Sequence, residues 1–152
     1  MTFYENIDAP ERVLLISVDT GDFNAEESIE ELALLVETAG GEAVVTSTQK
    51  LPSVNPATYV GSGRIQEIAE ICRTSEIDLI VADDELSPAQ LKNIEDLTDT
   101  RVIDRTMLIL DIFALRARSS EGKLQVELAQ LKYSLPFLTG KGKSLSRLGG
   151  GI

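Results

Sequence analysis

The sequence predicts an α/β fold: a small, mainly parallel four-stranded sheet with helices on both faces, followed by a long helical arm. Three observations lead there. Over the first hundred residues, short apolar runs of strand length alternate with segments whose apolar residues recur at helical spacing. The resulting order, β-α-β-α-β-α-β, joins strands through helices, which favours parallel pairing with right-handed crossovers. From Thr106 the pattern becomes helical almost without interruption. The expected organisation is an α/β domain over residues 1–105 and an arm with a glycine-rich basic loop over residues 106–152, with strand order 2-1-3-4.

Each element has a local cause. "RVLLISV" (Arg12–Val18) is a continuous apolar run, as a strand covered on both faces requires. Asn24 is placed to cap a helix whose first turn carries Glu26 and Glu27 and which Gly40-Gly41 stop. Its Ile29, Leu32, Ala33 and Val36 share one face. "EAVVTSTQ" (Glu42–Gln49) is β-branched and reads as the second strand. Pro52 and Pro56 then break the chain before a helix with Ile65, Ile68, Ala69 and Cys72 on one stripe. "IDLIVADD" (Ile77–Asp84) is the third strand. Ser87 and Pro88 start the next helix as N-cap and first residue, and "RVID" (Arg101–Asp104) is the fourth strand. The arm is expected to bend around Ser119–Gly122, with Met107–Leu115 packed on the sheet domain and Pro136 loosening the helix. Leu124, Leu128, Leu131 and Leu135 are spaced 4, 3, 4, a narrow seam that calls for one partner helix.

Composition narrows the chemistry. The chain has 152 residues, 43% of them apolar, enough for one core. No apolar run reaches the ~20 residues of a membrane span, and no basic start followed by an apolar stretch marks a signal peptide. One cysteine, Cys72, permits no internal disulfide and fits a reducing cytoplasm. With no histidine, zinc chemistry and histidine-based triads lose their usual residue. Charge is polarised along the chain. Residues 1–112 hold 7 Lys and Arg against 23 Asp and Glu, a net −16; residues 113–152 hold 7 against 2, a net +5. Such a swing points the tail, and not the body, toward a polyanion.

Candidate sites fall in three places. "GSGR" (Gly61, Gly63, Arg64) precedes a helix and is either a phosphate cradle or a sharp turn; it lacks both common glycine-rich nucleotide spacings. "GKGKS" (Gly140–Ser144) is excluded as a P-loop, because Phe137 stands where the first glycine is needed. Asp19, Asp83 and Asp84 follow apolar strands, at the carboxyl edge where open parallel sheets bind ligands, and Asp83 with Asp84 forms a candidate Mg²⁺ pair. A nucleotide- or small-molecule-sensing, flavodoxin-like module is the corresponding functional alternative. A phospho-acceptor receiver would also need a fifth strand ending in lysine, and none is evident. Cys72 reads as packing. In the tail, Lys141, Lys143, Ser144 and Arg147 lie among glycines that let backbone approach a phosphate or base closely, as folded RNA requires.

"YVGSGRIQEI", "DDELSPAQLKNIED", "VIDRTMLILDIFALRARSSEGKLQVELAQLKYSLPFLTG" and "LSRLGGGI" together resemble the N-terminal region of the HflX family of ribosome-associated GTPases, over roughly Tyr59 to Ile152. The resemblance implies an α/β domain, an antiparallel helical hairpin and then a Ras-like GTPase domain holding GTP and Mg²⁺. It implies binding to rRNA of the large ribosomal subunit, with ribosome splitting, and makes Gly140–Gly151 the hairpin loop and Lys141, Lys143, Ser144 and Arg147 its RNA contacts. It further implies that this chain is part of a longer protein whose second hairpin helix and GTPase domain lie beyond Ile152. In this chain alone no cofactor is then expected, and self-association through the bare leucine seam is.

Overall fold

The computed structural model describes residues 9–138. The elements are β1 (Arg12–Asp19), α1 (Ala25–Thr38), β2 (Glu42–Lys50), α2 (Ser62–Thr74), β3 (Leu79–Ala82), α3 (Pro88–Thr98), β4 (Arg101–Asp104), α4 (Arg105–Arg116) and α5 (Ser120–Leu138). All neighbouring strands pair parallel in the order β2-β1-β3-β4, as the sequence predicts.

Alternation along the strands builds two cores. Leu14, Ile16, Val18, Ile80 and Val102 point to the face covered by α2 and α3, where Ile65, Ile68, Leu91 and Ile94 meet them. Val13, Leu15, Leu79, Val81 and Ile103 point to the other face, under Leu32 and Val36 of α1 and Leu108 of α4. Each large aliphatic chain so buried contributes about 1.5–3 kcal/mol.

The caps follow local sequence. Asn24 Oδ1 accepts from the Glu27 amide at 3.1 Å. Gly40, at φ +96°, turns the chain so that the Gly41 amide returns to the Val36 carbonyl at 2.9 Å. Ser87 and Gln90 form a reciprocal capping box with Pro88 at the first turn. β3 is shorter than its apolar run. It pairs over four residues on each side, and beyond Ala82 the side chains of Asp83 and Asp84 turn to Arg105 and Tyr59.

The arm differs most from a rod. The chain breaks at Ala117–Ser119, where Ser119 Oγ accepts from the Gly122 amide at 2.9 Å and starts a new helix. α5 then runs back along α4: Gln130 reaches Asp111, Tyr133 reaches Asp104, and Phe137 enters the α2–α3 core. Pro136 does not end the helix, which continues to Leu138. A mid-helix proline costs about 3 kcal/mol, and the burial of neighbouring Phe137, 6% exposed, offsets much of it. The seam itself stays open. Leu124, Leu128, Leu131 and Leu135 are 66%, 50%, 54% and 52% exposed.

Candidate functional site

The carboxyl edge of the sheet carries Asp83 and Asp84, which the sequence singles out, and Asp104, which it does not. Asp104 ends β4, is fully buried, and caps α4 by accepting from the Met107 amide at 3.0 Å. Its other oxygen accepts from the Leu86 amide at 3.0 Å and from the Tyr133 hydroxyl. Burial pushes this carboxyl above the ordinary range, while the Tyr133, Leu86 and Met107 bonds oppose that rise. The Tyr133 hydroxyl is itself raised, by burial first and then by the adjacent carboxylate.

Asp83 and Asp84 have separate partners. Asp83, almost wholly buried, is held by Arg105 Nη1 at 2.7 Å. The same guanidinium donates to Ser28 Oγ at 3.1 Å and to Glu31 at 3.1 Å, tying β3 and α4 to α1. Asp84 accepts from the Tyr59 hydroxyl at 3.2 Å, and that oxygen accepts in turn from the Val18 amide at 3.1 Å. Tyr59 sits at φ +65° with its ring buried. A bulky residue there costs on the order of 1–3 kcal/mol, which ring burial and the two hydrogen bonds counter. Burial is the main cause of the raised Asp84 pKa. Among the described residues no group of three or more acidic, cysteine or histidine side chains could hold a metal ion.

The "GSGR" turn is likewise engaged within the fold. The Gly61 amide donates to Gln49 Oε1 at 2.9 Å, and a Cβ at Gly61 would stand 3.1 Å from Gln49 Nε2. Glycine is needed there for that approach, whereas Gly63 faces open space. Arg64 reaches sideways to Ser47 Oγ at 3.0 Å and the Thr48 carbonyl at 3.4 Å, and pairs with Glu67. The preceding loop is clipped to α3 by Gln90, which donates to the Asn55 carbonyl, and by Asn93, which donates to that of Ala57. Asp19 lies elsewhere, in an open groove of about 410 Å³ lined by Thr20, Gly21, Lys50, Leu51 and Pro52. Lys141, Lys143, Ser144 and Arg147 lie outside the described residues.

The loop that leads into "YVGSGR" is thus clipped by the "SPAQLKN" stretch, through Gln90 and Asn93. Similarity to known proteins follows the same segments. Residues 26–114 match a family model described as GTP-binding GTPase N-terminal, and residues 116–152 match one described as GTP-binding GTPase Middle Region. The chain belongs to the HflX family of GTPases.

Among its HflX relatives, the GTPase HflX of Lacrimispora saccharolytica is 56% identical over 145 residues, 93% of this chain and 34% of the relative. The GTPase HflX of Escherichia coli K12 is 44% identical over 151 residues, 98% of this chain and 35% of the relative. A GTP-binding protein from Sulfolobus solfataricus, solved in complex with GDP, superposes with a TM-score of 0.65 at 33% identity, covering 92% of this chain and 43% of that one. The chain spans about a third of the length of the curated HflX relatives it matches. The described residues do not fit a GTP–Mg²⁺ site. The Gly61 amide is taken by Gln49, the Asp83 carboxylate is held by Arg105, and no acidic cluster is available for a divalent cation. Sequence reasoning did not single out Arg105 or Asp104. Asp104 does carry a local signal, its place three residues before the Met107 amide that it caps, whereas its bond to Tyr133 and those of Arg105 reach far along the chain.

Proposed function

We propose that this HflX-family chain is the ribosome-binding N-terminal module of a cytoplasmic GTPase that binds the large ribosomal subunit and splits ribosomes. Residues 1–105 together with α4 act as the platform, and residues 120–152 as one helix and loop of a hairpin. GTP hydrolysis belongs to a separate domain of the full-length protein, which holds GTP and Mg²⁺. The observation that carries this is the open seam: four leucines in heptad spacing, each at least half exposed, on a helix whose opposite side is held by α4 and the sheet. A seam this narrow fits one covering helix, the second helix of the hairpin. The loop between those helices then carries Lys141, Lys143, Ser144 and Arg147, whose charges face rRNA phosphates.

Pelleting of the full-length protein with large ribosomal subunits tests this. Changing Lys141, Lys143 and Arg147 together to Glu is expected to remove most of the bound fraction; undiminished binding overturns the loop's role. The groove at Asp19 and Lys50 supports a second reading, a small-molecule sensor at the carboxyl edge. Titrating ATP, GTP and Mg²⁺ while following the Gly21 and Gly61 amides by NMR separates the two. Localised, saturable shifts would favour the sensor.

A further inference from the structure

Burial along α5 is uneven. Residues 120–132 are exposed or half-buried, and the first buried side chains are Ser134 and Phe137, in the last turns of the helix. The helix is therefore fastened at its C-terminal end. α4 leaves the carboxyl edge of the sheet at Asp104, and α5 brings the chain back to that edge.

Two aromatic residues make the fastening. The Tyr133 hydroxyl donates to Asp104, a buried carboxylate already fixed by the Leu86 and Met107 amides. Phe137, one turn further on, is buried in the core that α2 and α3 cover. Its ring centre lies 5.9 Å from that of Tyr133, with the planes tilted by 47°. Ser134, between them, keeps its hydroxyl within the helix by donating to the Gln130 carbonyl at 2.7 Å. Leu135 and the seam leucines before it stay open, so anchor and seam occupy different sides of α5.

Pro136 makes the anchor necessary. A proline has no N–H to give the carbonyl four residues back, so the last turn of α5 has less backbone bonding than an ordinary helix end. Side-chain contacts with the platform hold that turn instead. Lys141 is four residues beyond Phe137 and Lys143 six, which confines them to within about 14 Å and about 22 Å of it. We propose that Tyr133 and Phe137 are positioning residues for Lys141 and Lys143: they fix on the platform the point from which these two cations reach a phosphate backbone. This rests on the RNA-facing role of the loop. A charge tethered to a frayed helix end must be ordered when it binds, which weakens association, whereas a tether already fixed has less freedom to lose. The anchor thus sets how well the loop is placed, and not how many phosphates it meets.

Binding of the full-length protein to large ribosomal subunits, over a series of salt concentrations, tests this. Phe137→Ala is expected to weaken binding roughly tenfold with the slope of log K against log salt unchanged, since the same phosphates are neutralised. Phe137→Leu, which refills the core, should return to within about threefold of wild type. With Lys141→Gln and Lys143→Gln already present, Phe137→Ala should cost no more than about a further twofold, because its effect passes through those cations. Tyr133→Phe, which keeps the ring, should show the same pattern at about threefold, and it serves in place of Phe137→Ala if that variant does not fold. Unchanged binding by these anchor variants, or an equal loss in both backgrounds, overturns the proposal. Amide hydrogen exchange over residues 133–138 of the free protein separates its two parts. Unchanged exchange in the anchor variants overturns the anchor. Faster exchange, beside wild-type binding by Lys141→Gln with Lys143→Gln, overturns the loop's role and leaves the anchor standing.

Discussion

Asp104 uses two oxygens to hold three elements: the α4 amide of Met107, the Leu86 amide ahead of α3, and the Tyr133 hydroxyl of α5. Tyr133→Phe removes one of these bonds from a buried carboxylate and is expected to cost about 1–3 kcal/mol in urea unfolding. A loss below about 0.3 kcal/mol would mean that this bond does not hold α5. Asp111 yields a pH test. Burial between α4 and α5 raises its carboxyl to about 6, against the pull of Arg101 and Gln130. The folded chain therefore binds that proton more tightly than the unfolded chain, whose aspartate titrates near ~3.9. Its stabilising contribution is complete below about pH 4 and is lost as pH rises through 6. Relative to Asp111→Asn, the wild type should lose about 1–3 kcal/mol between pH 4 and 7, with urea midpoints as the readout. Parallel curves for the two proteins would contradict it. At this scale the caps at Asn24 and Ser87 were legible because cap and partner lie three residues apart. The Asp104–Tyr133 and Arg105–Ser28 bonds span 29 and 77 residues, and no local pattern announces them.

Elements were legible in proportion to how local their causes are. β4 occupies the four residues that the sequence marks, and α3 begins at the expected proline. The reversal of α5 was not legible, because helical periodicity describes a helix but not the direction of its neighbour. The seam, by contrast, could be read from spacing and remains uncovered among the described residues. Replacing Leu128 and Leu131 by Gln should change this chain's stability by less than about 0.5 kcal/mol each, since both are already half exposed. In the full-length protein the same pair should cost several times more if a second helix covers the seam. Equal effects in both would remove the case for a covering helix. Within α3, Ser87→Ala should cost about 1 kcal/mol. Gln90→Ala should cost more, because Gln90 also clips the Asn55 loop, and chemical denaturation of both variants compares the two directly.

At the scale of the molecule, charge and shape divide the chain. The platform is acidic, its polar carboxyl edge is largely engaged in holding helices together, and the basic residues collect after Leu115. Fold class and family follow from pattern and motif. The proposed RNA-facing group is Lys141, Lys143 and Arg147, which lie outside the described residues. The most direct measurement is the salt dependence of full-length protein binding to large ribosomal subunits, wild type beside Lys141→Gln, Lys143→Gln and Arg147→Gln combined. Three phosphate contacts make the wild-type slope of log K against log salt steeper by about 2–3 than that of the triple variant. Identical slopes and affinities for the two proteins would contradict the account.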